Sequence, residues 1–324
     1  MKQFLHIYIL LLPFLLYITL QCYKASRPWC EELLSDYPIK IDLEPIRLGN
    51  TPNKWLDGIN PVNKNSYKFI HRPNPGCQMM DIDILSLVKS KPDHFRLREA
   101  IRKTWGKQAS TGRNKLVFSL GKVESSSLQK QIDQESAKHR DILQGQFKDT
   151  YNNVTLKMMY GIYWIAKFCS NARFVSLIDD DVIVNFFNLQ KFFSEVKLHQ
   201  MDSLFSGYVF DTTGPFRFMS KWSTSLEKYP YPCFPPYVTG LTIVTTGNVI
   251  KMFNTAIPYV KFLPYDDVYF GIVALKLGIR LSAINNDKFD FWGTRIHELS
   301  YIISSHPEEN LNGIRYEELY FHNI

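Results

Sequence analysis

The chain has 324 residues, of which 45% are hydrophobic and 21% charged, and it carries a formal net charge of +7. That apolar content supports a sizeable core and excludes an extensively disordered chain. The basic charge is spread out, with no dense Lys/Arg block and no zinc-finger spacing, so nucleic acid is not the expected partner. A phosphate-bearing small ligand or an anionic membrane surface remains compatible.

Residues 4–20 are almost wholly apolar, interrupted only by His6, Pro13 and Thr19, which is close to the roughly 20 residues that span a bilayer. Leu20-Gln21-Cys22-Tyr23 offers no small-x-small cleavage site. The expectation is an uncleaved signal-anchor over residues 4–23, a cytoplasmic tail of residues 1–3, and the rest of the chain in a lumen. Residues 24–76 are polar and punctuated by Pro28, Pro38, Pro45, Pro52, Pro61, Pro73 and Pro75, which predicts a stem that folds partly onto the domain. Residues 77–324 form the expected globular domain.

Within it, residues 83–88 read as a buried strand. Phe95 to Gly106 reads as a helix with Leu97, Ile101 and Trp105 on one face, started by Pro92 and Asp93 and stopped by Gly106. Arg98 and Arg102 lie four residues apart on this helix, a repulsive spacing unless an anion sits between them. A diphosphate would serve, and so would a protein carboxylate. Residues 116–121 form a second strand, and a polar surface helix runs from 126 to 140. A strongly apolar helix over 156–168 follows, and the sequon Asn153-Val154-Thr155 lies just before it.

This helix leads into Phe174-Val175-Ser176-Leu177-Ile178 and then Asp179-Asp180-Asp181. A buried strand ending in three adjacent carboxylates is costly unless a cation offsets their repulsion, and oxygen ligands suit hard divalent ions. An exposed acidic turn is the alternative. A helix over 188–199, a strand over 204–210 and an aromatic, proline-dense region including Trp222 and Tyr237 come next. After a strand over 239–245, Asp266-Asp267 open a further helix, where they could equally act as a cap. Alternating strands and helices indicate an α/β fold with a largely parallel sheet, whose ligand crevice lies at the carboxyl ends of the strands. Of the five cysteines none forms a C-x-x-C pair, which disfavours a zinc site. Cys77 with Cys169 is the favoured disulfide because each flanks a predicted core element, and two buried thiols are the alternative.

Five segments in consistent order resemble the β1,3-galactosyltransferase family, glycosyltransferase family 31. F-x-x-R-x-A-I-R-x-T-W-G is complete at Phe95 to Gly106, and F-x-D-x-Y-x-N-[LV]-T-x-K is complete at Phe147 to Lys157. D-D-D-x-x-x-N runs from Asp179 to Asn185. Y-P-P-Y-x-x-G occupies 234–240 with Phe234 in its first place, and E-D-V-x-x-G occupies 266–271 with Asp266 for Glu. His306-Pro307-Glu308-Glu309 matches a C-terminal His-then-P-E-E pattern at shorter spacing.

The resemblance implies a GT-A nucleotide-diphospho-sugar transferase sandwich, anchored in the Golgi membrane as a single-pass type II protein with its catalytic domain lumenal. It implies a UDP-sugar donor, UDP-galactose first, with Mn²⁺ as cofactor; UDP-GlcNAc and UDP-GalNAc are alternatives that these motifs do not separate, and a catalytically silent glycan-binding or chaperone relative is a further one. The acceptor is a glycan on a glycoprotein or glycolipid, and the product a β1,3 linkage of inverted configuration. Asp181, Asp179 and His306 are the expected metal residues. Asp179, Asp180, Arg98, Arg102, Asp149 and Lys157 are expected around the nucleotide, the two arginines and Lys157 either touching phosphate or holding the acidic motif. Asp267 is the expected catalytic base, with Asp266 second. Trp222 and Tyr237 are expected to line the acceptor site.

Overall fold

The computed structural model describes residues 43–48, 58–63, 66–74, 76–77, 81–211, 213–218, 220, 222–307 and 313–324. The expected membrane segment at 4–23 and much of the stem lie outside the described residues. Among those described, no helix is long and apolar enough to cross a membrane.

The chain runs through α1 (Glu44–Arg47), β1 (Phe69–His71), β2 (Ile84–Lys89), α2 (Phe95–Lys103), α3 (Trp105–Ala109) and β3 (Asn114–Lys122). It continues through α4 (Ser126–His139), β4 (Ile142–Lys148), α5 (Val154–Phe168), β5 (Phe174–Asp179), β6 (Ile183–Val184), α6 (Phe186–Ser194) and β7 (Phe205–Phe210). The last elements are β8 (Tyr237–Thr246), α7 (Gly247–Ala256), α8 (Asp266–Lys276), β9 (Phe289–Asp290), β10 (Ser304–Ser305) and α9 (Gly313–Asn323).

β2 is buried at every position because both faces of the sheet are covered. Its alternate residues feed two cores. Leu85 and Leu87 join the α5, α7 and α8 side, whereas Ile84 and Val88 join the side of α2, α3, α6 and α9. On α5, Gly161 permits a close approach to the sheet, since a Cβ there would lie 2.2 Å from Leu87 Cδ2.

The sheet order is β1-β4-β3-β2-β5-β8-β7. The central pairs β2–β3, β2–β5 and β3–β4 are parallel, whereas β1–β4, β5–β8 and β7–β8 are antiparallel. The sheet is therefore mixed, and the expected parallel arrangement holds only for its four central strands. Helices supply the crossovers that parallel pairing requires, but β7 reaches β8 through the long loop 211–236, which allows antiparallel return. A small second sheet, β6-β10-β9, folds the C-terminal segment back onto the turn after β5.

Several boundaries differ from expectation. The helix expected to run to Gly106 breaks at Thr104, whose φ of −100° and ψ of −124° leave the helical region, and restarts as α3. The folded unit also begins before Cys77. β1 adds an edge strand to the sheet, Leu43 is fully buried with its N–H on Lys276 O at 3.1 Å, and Tyr67 stacks on Tyr163 at 4.4 Å. Cys77 and Cys169 form a disulfide, joining the start of the domain to the end of α5 across 92 residues.

Candidate active site

The site forms where β2 and β5 end side by side, with Lys89 in register with Asp179. Lys89 Nζ lies 2.9 Å from Asp179 Oδ1 and 2.6 Å from Asp266 Oδ2, and its side chain is 3% exposed. Burial works against this charge, but the two carboxylates outweigh it and hold the ammonium well above the usual lysine range. Lys89 is the main residue that sequence reasoning missed. Its signal was available: it is the first charged residue at the end of a continuous apolar strand.

Asp180 turns the opposite way, into the protein. Its Oδ2 accepts from Ser90 Oγ at 2.6 Å and from the Lys91 N–H at 3.2 Å, and lies 2.9 Å from His94 Nδ1. Ser90 Oγ in turn accepts from Arg98 at 2.9 Å. Asp180 thus anchors the acidic turn rather than facing the cleft.

Arg98 is fully buried. Its donors go to both oxygens of Glu135, to Ser90 Oγ, and to the carbonyls of Lys91 and Pro92. Arg102 contacts Asp141 at 2.8 and 2.9 Å and Glu135 at 2.8 Å. The anion between the two arginines is therefore protein carboxylate, of the two kinds of anion that their spacing left open. Lys157 is likewise enclosed, donating to Ser90 O at 2.6 Å and pairing with Asp149 at 3.0 Å, while Asp149 Oδ2 accepts from the Gly121 N–H at 2.6 Å. These groups brace the strand ends beneath the cleft.

Asp181 faces outward toward His306, with Oδ2 to Nε2 at 3.6 Å. β10 delivers that histidine: it pairs antiparallel with β6, Ser305 opposite Ile183. Asn185 fixes the same segment, donating from Nδ2 to Leu299 O at 3.0 Å while its N–H meets Ile303 O at 2.8 Å. Tyr316 donates to Val182 O at 2.6 Å and accepts from Trp105 Nε1 at 2.7 Å, so the T-W-G motif supports the turn through α9. The contact with Asp181 raises His306 above the usual imidazole range against the effect of burial. Burial acts to raise Asp181, but His306 overcomes it and lowers that carboxyl. Burial pushes Asp179 up to about 7, with Lys89 opposing and Asp181 and Asp266 adding to the rise.

Asp267 sits beside Asp266 at the first turn of α8, half-buried and without an ion-pair partner among the described residues. Its Oδ1 accepts from the Val268 N–H at 2.7 Å. Burial, then the charge of Asp266, push it up to about 7. An aromatic wall flanks it. Tyr237 is pushed up to about 12 by burial, with the Asp267 carboxylate adding to the rise. Tyr151 accepts from Trp222 Nε1 at 2.8 Å, and Tyr265 donates to Ser223 O at 2.7 Å.

Among the described residues no three His, Cys, Asp or Glu side chains are gathered as a metal cluster. Asp181 and His306 nevertheless supply one oxygen and one nitrogen donor of the kind Mn²⁺ accepts. One oxygen of Asp179 is held by Lys89.

A family model described as galactosyltransferase matches residues 96–285. The chain belongs to the galactosyltransferase family. This galactosyltransferase-family chain is 39% identical over 206 residues to the β-1,3-galactosyltransferase brn of Drosophila melanogaster, covering 63% of each chain. It is 33% identical over 258 residues to the UDP-GalNAc:β-1,3-N-acetylgalactosaminyltransferase 1 of Rattus norvegicus, covering 76% of each. With the β-1,3-galactosyltransferase 5 of Gorilla gorilla gorilla it shares 34% identity over 241 residues, 72% of this chain and 78% of that one. The galactosyltransferase LgtC, solved with donor and acceptor sugar analogues, superposes with a TM-score of 0.39 at 10% identity. That match covers 74% of this chain and 96% of LgtC.

Proposed function

We propose that this glycosyltransferase moves galactose from UDP-galactose to a hydroxyl of an acceptor glycan, on a glycoprotein or glycolipid, forming a β1,3 linkage with inversion. The observation that carries this reading is the division of labour among five carboxylates. Asp179 and Asp266 are tied to Lys89, and Asp180 is tied to Ser90, Lys91 and His94. That leaves Asp181 facing His306 and Asp267 beside the aromatic wall.

A diphosphate cannot approach such a surface unless a cation intervenes, because like charges repel. Asp181 and His306 would hold that cation, proposed as Mn²⁺. When bound, the ion supplies neutralisation of the charge that builds on the departing diphosphate. At the other end, the acceptor oxygen bonds to the sugar's anomeric carbon as the carbon–diphosphate bond breaks, and Asp267 takes the hydroxyl proton. Trp222, Tyr151 and Tyr237 offer aromatic faces for the apolar side of the acceptor sugar.

Asp266 is the weaker candidate for the base because its carboxylate is buried against Lys89. A GalNAc donor is the second reading, favoured by the rat relative. Golgi lumenal placement behind an N-terminal anchor is part of the proposal, supported by the apolar stretch 4–20 and by the Cys77–Cys169 disulfide, which needs an oxidising compartment.

The test is a UDP-release screen of a secreted form beginning at Leu43, across UDP-galactose, UDP-GalNAc and UDP-GlcNAc with mixed glycan acceptors and Mn²⁺. Acceptor-dependent release from UDP-galactose is expected. Release only from another donor reassigns the sugar, and release from none under these conditions refutes the reading.

A further inference from the structure

The two acidic motifs lie at the end of β5 and at the start of α8, more than eighty residues apart in sequence. Among the described residues, a single cation bridges them: Lys89, at 2.9 Å from Asp179 and 2.6 Å from Asp266. Its position is fixed from below by β2, whose register sets Lys89 against Asp179. Room for it is fixed from the side by Gly240 of β8, where a Cβ would lie 2.9 Å from Lys89 Nζ and 3.2 Å from Asp266 Oδ2. A methyl group at 240 would press on the ammonium, so Lys89 Nζ would have to shift.

We propose that Lys89 is a positioning residue that ties the acidic turn after β5 to the first turn of α8, and so sets the distance between Asp181 and Asp267. The inference rests on the roles given above to those two carboxylates. Inverting displacement requires the attacking hydroxyl and the departing diphosphate to lie on opposite sides of one carbon. The proton acceptor and the diphosphate end must therefore be held at a fixed separation. Reacting groups displaced by about 1 Å lose on the order of 100-fold in rate. A flexible surface ion pair could not hold such a distance. A buried ammonium with both carboxylates at hydrogen-bond length can, because leaving either carboxylate uncompensated is costly. Gly240 then has a defined purpose, which is to leave the ammonium in its place. The alternative is that Lys89 only balances buried negative charge.

Two variants of the secreted form separate these possibilities: Lys89→Met, which removes the bridge, and Gly240→Ala, which keeps the charge but crowds the ammonium. Thermal melting, calorimetric UDP affinity with Mn²⁺, and kcat and KM for donor and acceptor are measured for each. Positioning predicts that Gly240→Ala keeps its melting profile and keeps UDP affinity within about threefold, while kcat falls by about tenfold or more. Lys89→Met loses about 100-fold or more in kcat. Should Lys89→Met fail to fold, Gly240→Ala decides alone. A Gly240→Ala enzyme with wild-type kcat overturns the inference, as does a kcat loss matched by an equal loss of UDP affinity. Asp267→Asn is run alongside: if it retains turnover, the base assignment fails. If it is inactive while Gly240→Ala is normal, only the positioning inference fails.

Discussion

Asp267 and Asp181 carry different consequences because their surroundings differ. Asp267 binds its proton up to about 7 instead of the ordinary 3.8. Below that pH it is a neutral acid and cannot accept the acceptor's proton; above it the carboxylate is available. The value of kcat/KM should therefore rise with pH by about tenfold per unit below about pH 7 and level off above it. The same shift opposes stability. The folded chain holds this proton where the unfolded chain has released it, so its contribution to stability declines as pH rises from about 4 to about 7. Asp267→Asn keeps the shape but removes the base, and should lower kcat by about 10²–10⁴ while leaving UDP affinity intact. Near-normal turnover of that variant on a true acceptor would move the base elsewhere. Asp181→Ala removes one of the two donors aimed outward from the turn. Its calorimetric UDP affinity in the presence of Mn²⁺ should fall by at least about tenfold, and unchanged affinity would exclude Asp181 as a ligand.

At the scale of elements, the site depends on α2 and α4 being clamped together. Arg98 and Arg102 on α2 share Glu135 of α4, and Arg102 also takes Asp141 just before β4. Arg98→Met would leave Glu135, itself almost buried, with half its compensation. Breaking a buried pair on one side costs about 3–5 kcal/mol, so the urea midpoint should drop substantially, and a change below about 1 kcal/mol would contradict the clamp. The spacing of the two arginines announced an anion, but not which one. α4 reads as a polar surface helix, and nothing local shows that Glu135 turns inward beside Ile132. Of the strands that were legible, β2, β3 and β5 are runs rich in Val, Leu, Ile and Phe and buried on both faces, and β7 and β8 were legible too. β4 was not, because Gln144, Gly145 and Gln146 interrupt its apolar pattern. Yet Gln144 is fully buried, donating to Gly121 O and exchanging hydrogen bonds with Gln129. The motif residues were likewise legible as a set, whereas the bridge through Lys89 arises only when β2, β5 and α8 meet.

At the scale of the whole molecule, the question is where the folded unit begins. Composition marks residues 24–76 as a stem that folds partly onto the domain, and parts of that stretch are built into it. Leu43 is fully buried, and Arg47 Nε donates to Leu277 O at 3.1 Å, just after α8. Asn63 Nδ2 donates to Ile257 O at 2.9 Å and lies 3.2 Å from Tyr269 OH, and the Val62 N–H meets Pro258 O at 2.8 Å. β1 covers the free edge of β4, and Tyr67 and Phe69 pack against Tyr160 and Tyr163 of α5. A form starting at Gly76 would lose all of these contacts while keeping every carboxylate of the site, Lys89 and the Cys77–Cys169 disulfide. Each buried large apolar side chain is worth about 1.5–3 kcal/mol, and uncovering an edge strand invites association between molecules. Compared with the form starting at Leu43, the shorter form should unfold at lower urea by several kcal/mol of stability and aggregate more readily. Its folded fraction should turn over at an unchanged kcat, because among the described residues none of the lost groups bonds to a residue of the site. Equal stability of the two forms would show that the segment 43–71 merely rests on the domain; a lowered kcat at equal folded concentration would show that it reaches the site after all.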